Sequence, residues 1–453
     1  MVFEPSVYTE FRFLSATLNA HDFSVRFEYS LVGEDSTEHF SESISFTPVR
    51  ASHEVDWPRV RGLIVILGAA LGLSYFKAAA PSRYVIELEG MTQAGVDYLG
   101  ELITHGMAEF AYRNELPEPL HPEIVLTAGV APAWPAEDHL TPSGDPLVPI
   151  GGGKDSVVSV ELLAAARMHP VQFGVNPNKI MYRVGRIKGH PILAATRELD
   201  TRIMELNEAG ALNGHVPVTA MNSLIALVQA RIIGLGPVVM SLEASASEPT
   251  LWWGDMPVNH QWSKSEVAEE LLQDMVGPQA GLSAGSYFSL LRPYSEIQIA
   301  RYFAALSEYH PVITSCNRAF RRGVEDARWC GDCDKCRFIF LILSPFIPAT
   351  SLTRMFADNL LDNPSQLEGY RALLGLHEHR PFECVGEQAE SMLALHWVAT
   401  AGEWKNAAVV KALVAEIPEL LVPHPELEVQ VLGHRESELA MPGGYHTLGQ
   451  VLA

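Results

Sequence analysis

The stretch with the clearest chemical pattern is a glycine-rich turn between an apolar run and a helical run. PLVPI is followed by GGGKDS and then by VVSVELLAAARM, so we expect a strand to end at Ile150 and a helix to begin near Ser156. Glycines allow positive φ angles and let backbone N–H groups approach a ligand closely. The start of the helix adds further N–H groups and the positive end of its dipole, which together suit phosphate.

The side chains of this turn point to a nucleotide carrying a metal ion. Lys154 can neutralise phosphate charge, and Ser156 can cap the helix or donate to a phosphate oxygen. Asp155 would repel phosphate unless it binds Mg²⁺, so it indicates a metal–nucleotide ligand. The spacing is that of neither G-x-x-x-x-G-K-[ST] nor G-x-G-x-x-G. The predicted ATP-binding residues are Gly151, Gly152, Gly153, Lys154, Asp155 and Ser156.

Four of the five cysteines form a second candidate site. Cys316, Cys330, Cys333 and Cys336 have the spacing C-x13-C-x2-C-x2-C. Four thiolates suit tetrahedral Zn²⁺ in a structural site. Reduced structural thiols, partly catalytic thiols and an iron–sulfur cluster remain alternatives.

Polar residues near predicted strand ends and beside the cysteines are candidates for catalysis and substrate recognition. The segment 241–270 follows a strand-like run, where ligands of open α/β sheets usually bind. The candidate catalytic residues are Lys154, Asp155, Glu243, Asp255 and His260; the last three, with Cys316, are also the candidate bases. The candidate substrate-binding residues are His215, Glu248, Asn259, Arg292, Arg318 and Arg321, the last two within a local arginine patch.

Composition limits the class of protein. The chain has 453 residues and a formal charge of −22, from 32 Lys+Arg and 54 Asp+Glu, so nucleic acid is not an expected partner. A small anionic substrate bound in a local cationic pocket fits better. Clustered cysteines without an export signal favour the cytoplasm. The apolar run from Gly62 to Phe76 is shorter than the roughly 20 residues of a membrane span, so a buried helix is expected. The oligomeric state cannot be inferred.

The order of apolar patterns predicts how the chain is divided. Alternating residues in 7–46, an apolar helix at Trp57–Tyr75 and an amphipathic helix at 92–116, with Thr92 as N-cap, predict an α+β domain over 1–116. A proline-rich connector is expected over 117–144. Strand-like runs alternating with helices over 145–350 predict an α/β domain with a parallel sheet. The remainder, 351–453, is expected to be helical.

The glycine turn resembles the S-G-G-x-D-S loop of the ATP pyrophosphatase (PP-loop) superfamily, with Gly151 in place of the first serine. The resemblance implies an adenine nucleotide α-hydrolase-like fold with helices on both faces of the sheet. It also implies cleavage of ATP between its α and β phosphates and transfer of AMP to a substrate oxygen. The order of GGGKDS, the strand before it and the helix after it carries this resemblance.

A wider set of motifs is similar to the family of UDP-N-acetyl-α-D-muramoyl-L-alanyl-L-glutamate epimerases (MurL). These motifs are GGGKDS, GHVPVTAMNS, SLEASASEP, VNHQWSKSEVAEE and LLRPYSEIQIARYF, followed by the cysteine cluster. The resemblance implies ATP-dependent inversion of the terminal glutamate of a UDP-linked muramoyl dipeptide, in peptidoglycan precursor synthesis, with Mg²⁺ as cofactor and no pyridoxal phosphate.

Two other classes of function stay open on the sequence. The cysteine arrangement also resembles that of 7-cyano-7-deazaguanine synthases, which implies a ligase that adenylates a carboxylate for amide or nitrile formation. A non-catalytic nucleotide-binding module is the third reading. Pyrophosphate release would exclude the module, and dependence on ammonia would favour the ligase.

Overall fold

The computed structural model is a mixed α/β protein whose main element is one large, mostly parallel sheet. It describes residues 3–48, 53–320, 328–376, 381–433 and 435–453. The elements of the first part of the chain are β1 (Tyr8–Asn19), β2 (Ser24–Gly33), β3 (Thr37–Ser45), α1 (Trp57–Phe76), β4 (Arg83–Ile86), α2 (Gln93–Thr104), α3 (Ala108–Arg113) and β5 (Glu123–Leu126).

The middle of the chain alternates strands and helices, as predicted. Its elements are β6 (Leu147–Pro149), α4 (Lys154–Ala165), β7 (Val171–Val175), α5 (Lys179–Gly185), β8 (Ile192–Glu198), α6 (Arg202–Ala209), α7 (Val218–Ile233), β9 (Val238–Met240), β10 (Leu251–Trp253), β11 (Met256–Val258), α8 (Glu266–Ala280), β12 (Tyr287–Ser289) and α9 (Glu296–Ala304). The sequence pattern indicated β6, β7 and β9 but missed β8, β12 and the small hairpin β10–β11.

The last part is helical, in agreement with its apolar periodicity. Its helices are α10 (Asp334–Leu343), α11 (Ala349–Phe356), α12 (Leu367–Leu373), α13 (Gln388–Thr400), α14 (Ala408–Glu416) and α15 (Pro425–Leu432). Helices α10 and α13 pack against α9, which follows the edge strand β12. These helices share a core with the glycine-turn strand, because Val148 and Leu393 belong to the same buried cluster.

The ten-stranded sheet has the order β12-β9-β6-β7-β8-β3-β2-β1-β4-β5. Strands β12 to β8 pair in parallel, whereas β3 pairs antiparallel with β8 and joins the N-terminal strands to the same sheet. The boundary predicted at residue 116 therefore does not interrupt the sheet. The predicted connector 117–144 also contains β5, which pairs in parallel with β4. Proline content indicated an extended chain there but could not reveal its pairing.

The apolar helix α1 is a core element. It is the one helix among the described residues that is long and apolar enough to cross a membrane, and 83% of its most apolar window is buried inside the protein. A Cβ atom at Gly68 would lie 2.2 Å from the ring of Phe13, so the helix lies almost directly on the sheet there. The predicted buried helix is confirmed.

The amphipathic run 92–116 forms two helices instead of one. Thr92 caps α2 as predicted, because its hydroxyl accepts from the N–H of Gly95 at 3.3 Å. The chain turns at His105–Met107, where a Cβ on Gly106 would lie 2.5 Å from the carbonyl oxygen of Leu102. This break reorients α3 and with it Glu109, which is buried.

The direction of the strand order reverses at β6. From β6 the chain runs outward through β7 and β8, and it then returns to place β9 and β12 on the other side of β6. Open α/β sheets bind ligands beyond the carboxyl ends of their strands at such a switch point. The glycine turn follows β6, and the segment starting at Ser241 follows β9. The fold therefore brings the glycine turn and the polar segment 241–270 to one place.

Candidate active site

The glycine turn is shaped by conformation and close packing at Gly152. This residue has φ +85°, which an L side chain rarely adopts, and a Cβ there would lie 2.9 Å from the side chain of Ile180. The carbonyl of Gly152 accepts from the N–H of Thr314 at 3.0 Å, which ties the turn to the segment before the cysteines. The helix begins at Lys154, two residues earlier than predicted.

The start of α4 fits a phosphate group. Gly153 is the N-cap residue of α4. Because glycine has no side chain, it makes no capping hydrogen bond to the first N–H groups of the helix. The space around Gly151 is open, with no atom within 4 Å of a Cβ built there among the described residues. Ser156 is not the cap, since its hydroxyl faces the carbonyl of Gly153 at 3.5 Å. A backbone cradle of this form can hold an anion.

Lys154 lies below the turn among carboxylates. Its side chain is 1% exposed, and its ammonium group contacts Asp155 at 2.5 Å and forms an ion pair with Glu296. Lys335 approaches the other oxygen of Glu296 at 3.6 Å. Burial alone would raise the pKa of Glu296, but Lys154 and Lys335 outweigh it and lower that pKa. Lys154 is thus held rigidly by two carboxylates at the base of the turn.

Two further buried carboxyl groups complete what we call the loop cluster, which is defined by Lys154, Asp155, Glu243, Glu296, Lys335 and Glu390. Burial and the negative charge of Glu296 raise the pKa of Glu243. The same two causes raise the pKa of Glu390, which accepts from the N–H of Glu296 at 2.6 Å. The loop cluster therefore combines carboxyl oxygens, the atoms that a divalent cation prefers, with lysine ammonium groups that pair with them.

A second group of residues, the thiol cluster, lies beside the loop cluster. It consists of Glu109, His215, His260, Lys264 and Cys384. His260 contacts the carboxylate of Glu109 at 2.5 Å through Nδ1, and its ring centroid lies 4.8 Å from that of His215. Lys264 donates to the sulfur of Cys384 at 3.0 Å. The negative charges of Glu243 and Asp155 help to raise the pKa of Lys264, so charges in the loop cluster affect the thiol cluster.

Two of the predicted substrate-binding residues have clear structural roles. Arg292 donates to Glu269 at 2.7 Å and to the carbonyls of Glu243 and Lys264 at 2.8 and 2.7 Å. It therefore fixes both segments that carry site residues. Asn259 donates to the carbonyl of Ala246 at 2.9 Å and is buried.

Other predicted site residues lie on the surface. Asp255 occupies the exposed turn between β10 and β11, and Glu248 is exposed. Arg318 is exposed and pairs with Asp332 at 3.0 Å. These positions do not place them among the residues of either cluster. Arg321 lies outside the described residues.

The four predicted cysteines do come together. Their sulfur atoms all lie within 4.8 Å of one another, with 3.9 Å between Cys316 and Cys333, 3.7 Å between Cys330 and Cys336, and 3.5 Å between Cys333 and Cys336. Sulfur atoms placed ~2.3 Å from one tetrahedral zinc ion would have separations close to these. The donor set and its geometry fit a structural zinc ion.

Sequence reasoning missed four residues of the clusters, namely Glu109, Lys335, Cys384 and Glu390. Glu109 belongs to the N-terminal part, where no chemistry was expected, and only the fold brings it to His260. Glu390 is hidden in a helix N-terminus, where it forms a capping box with Glu387. Cys384 did carry a signal, because it is the one cysteine outside the C-x13-C-x2-C-x2-C pattern.

Comparisons with known proteins place the chain in a family. A family model described as the MurL N-terminal domain matches residues 2–290, and one described as the MurL C-terminal domain matches residues 312–428. A protein of Micromonospora sp. is 44% identical over 410 residues, which cover 90% of this chain and 91% of that protein. Proteins of Salinispora tropica and Xanthomonas oryzae pv. oryzae are 46% and 40% identical, over 90% and 84% of this chain and 89% and 84% of their own lengths.

All three relatives are named UDP-N-acetyl-alpha-D-muramoyl-L-alanyl-L-glutamate epimerase. The ranges matched by the two family models include every residue of both clusters except Glu296, which lies between them. The chain belongs to the MurL family.

Proposed function

We propose that this chain is an ATP-dependent epimerase that inverts the terminal L-glutamate of UDP-MurNAc-L-Ala-L-Glu. The observation that carries the proposal is the uncapped glycine turn at the sheet's switch point, with Asp155 and buried lysines beside it. The names of the three relatives support the substrate and the inversion. The PP-loop assignment, the use of ATP and the adenylate are parts of the proposal.

The chemistry explains why inversion would require a nucleotide. Removing the Cα proton next to a free carboxylate produces a dianion, which is very unfavourable. Transfer of AMP from ATP to the α-carboxylate, with release of pyrophosphate, removes that negative charge, and the acyl carbonyl can then accept the electron pair of the Cα–H bond. Reprotonation from the other face inverts the centre. Hydrolysis of the adenylate releases AMP and makes the conversion irreversible.

The residues of the loop cluster have distinct proposed roles. Gly151–Gly153 and the first N–H groups of α4 bind the phosphates. Asp155 is the proposed ligand of Mg²⁺, which would supply charge neutralisation at the phosphates. Lys154 orients Asp155 through their contact at 2.5 Å. Glu243, His260 and the remaining polar residues of the two clusters would surround the glutamyl group.

The charge of the protein fits a small ligand better than a polymer. A chain with a formal charge of −22 repels nucleic acid, whereas lysines concentrated at one site can bind a nucleotide-linked anion. Clustered free cysteines favour a reducing compartment, so we place the reaction in the cytoplasm.

The proposal is tested by incubating the protein with UDP-MurNAc-L-Ala-L-Glu and Mg²⁺, with and without ATP, followed by chiral analysis of the glutamate. We expect D-glutamate only with ATP, and none with an analogue of ATP that cannot be cleaved between its α and β phosphates. Inversion without nucleotide would refute the adenylation scheme. ATP cleavage that requires ammonia and yields an amide or nitrile, without inversion, would favour the ligase.

We also propose that Cys316, Cys330, Cys333 and Cys336 hold one structural zinc ion. The expected result of elemental analysis is one equivalent of zinc per chain, and chelation should lower the midpoint of thermal unfolding. A matched control is Cys384→Ser, which removes the one cysteine outside this group and should leave the zinc content unchanged. Less than a tenth of an equivalent of any transition metal would refute the site.

A further inference from the structure

Cys384 lies in a setting that favours its ionised form. Lys264 donates to its sulfur at 3.0 Å, and the side chain of His260 is within hydrogen-bonding reach of it. Lys335 adds a third positive charge nearby. The setting of Cys384 is thus distinct from that of the four clustered cysteines, whose sulfur atoms contact one another.

The imidazole beside this sulfur is held in place by a carboxylate. Glu109 contacts Nδ1 of His260 at 2.5 Å, and Arg113 in turn contacts Glu109 at 2.8 Å. Glu109, His260 and Cys384 therefore form a chain of carboxylate, imidazole and thiol, the arrangement that activates a thiol in many enzymes. The three residues come from α3, from the segment after β11 and from the segment before α13, so only the complete fold creates the chain.

The sulfur is also connected to the predicted nucleotide site. The carboxylate of Glu383, the residue before Cys384, accepts from the N–H of Lys335 at 2.9 Å. Lys335 contacts Glu296, which pairs with Lys154 at the start of the glycine-turn helix. A substrate carboxylate activated at the turn would therefore lie near the thiol cluster.

We propose that the thiolate of Cys384 is the catalytic base that removes the glutamyl Cα proton. This inference rests on the proposed function and adds the identity of the base. The Cα–H bond breaks, an S–H bond forms on Cys384, and the electron pair moves into the adjacent acyl carbonyl. His260 and Lys264 are positioning residues, since they act through the sulfur.

The electrostatics agree with this assignment. Burial opposes ionisation of Cys384, but the charges of Lys264 and His260 outweigh it and lower the pKa of the thiol to about 6. Burial likewise disfavours the imidazolium, but Cys384 and Glu109 outweigh it and raise the pKa of His260 to about 9. Between these values the pair is a thiolate beside an imidazolium. The neighbouring His215 stays neutral, because burial and His260 lower its pKa to about 4.

The first test separates proton removal from adenylation in Cys384→Ser. Adenylation is measured as substrate-dependent exchange of pyrophosphate into ATP. Proton removal is measured as uptake of deuterium at Cα in D₂O. We expect the variant to keep pyrophosphate exchange within threefold of the wild type and to lose deuterium uptake and inversion by roughly 10²–10⁴-fold. Deuterium uptake at the wild-type rate would overturn the inference.

Other outcomes of this test are also decisive. Loss of both reactions in a folded Cys384→Ser protein would assign Cys384 to binding or adenylation and overturn its role as base. A covalent acyl-enzyme on Cys384, detected by intact mass, would show that Cys384 is a nucleophile. That result would also overturn its assignment as the base. Absence of pyrophosphate exchange in the wild type would instead refute the proposed function, so the two failures are distinguishable.

The second test does not require a Cys384 variant to fold. The rate of Cα exchange at limiting substrate should rise with pH through an apparent pKa of about 6, as the thiolate forms. In His260→Gln, which removes the positive charge, this rise should move to higher pH by about one unit or more. A purely structural role of His260 would lower the rate at every pH without moving the rise, and an unmoved rise would overturn the inference.

Discussion

Asp155→Asn is expected to lower ATP-dependent formation of AMP by roughly 10²–10³-fold while the protein stays folded. Asp155 is at the first turn of α4 beside the glycine turn, and its side chain is 27% exposed, so little packing depends on it. Asparagine keeps the size of the side chain but removes the negative charge that would bind Mg²⁺. The measurement is AMP released per unit time at saturating substrate, with the unfolding midpoint as a check of the fold.

Asp97→Asn provides a matched control. Asp97 lies on α2, where its carboxylate accepts from Gln93 at 2.7 Å on the protein surface, and we expect wild-type AMP formation from this variant. Unchanged AMP formation in Asp155→Asn would refute the proposal that the glycine turn binds a metal–nucleotide complex.

The form of the glycine turn could be predicted from the sequence because its determinants are local. A strand, three glycines and a helix follow one another directly, and φ +85° at Gly152 is a property of one residue. The cysteines were predictable for the same reason, since three of them lie within seven residues. In both cases the chemistry is contained in a short segment.

The thiol cluster could not be predicted, because its members are far apart in the chain. Glu109 and His260 are separated by 151 positions and meet only because β3 joins the N-terminal strands to the central sheet. The helix predicted over 92–116 hid this, since an unbroken helix would direct Glu109 elsewhere. Asp255 illustrates the opposite error, as a polar residue after a strand that the β10–β11 turn places on the surface.

Lys154→Met is expected to lower the free energy of unfolding by roughly 3–5 kcal/mol at neutral pH. The variant keeps the length of the side chain but leaves Glu296, which is 2% exposed, without the ammonium that it pairs with in the wild type. Lys335 at 3.6 Å compensates in part. The exposed pair of Lys188 and Glu308, with 2.7 Å between charged atoms, provides the control, because Lys188→Met should change the free energy by less than about 1 kcal/mol.

The pH dependence of this loss follows from Glu296. In the wild type the lysines lower its pKa, so its contribution to stability is present above the unfolded pKa and decreases as pH falls. In Lys154→Met the largely uncompensated, buried carboxyl group should have a raised pKa, and protonation then relieves its cost. The difference between variant and wild type should therefore shrink from about pH 7 to about pH 5 in chemical denaturation. A difference that grows on acidification would contradict the ion-pair assignment.

The central claim is that inversion at Cα proceeds through an activated carboxylate formed at the glycine turn. The most direct test is one reaction of the wild-type protein with UDP-MurNAc-L-Ala-L-Glu, ATP and Mg²⁺ in D₂O. AMP, pyrophosphate and D-glutamate should appear in step, and the D-product should carry solvent deuterium at Cα. D-glutamate without deuterium, or formed without AMP, would contradict the claim.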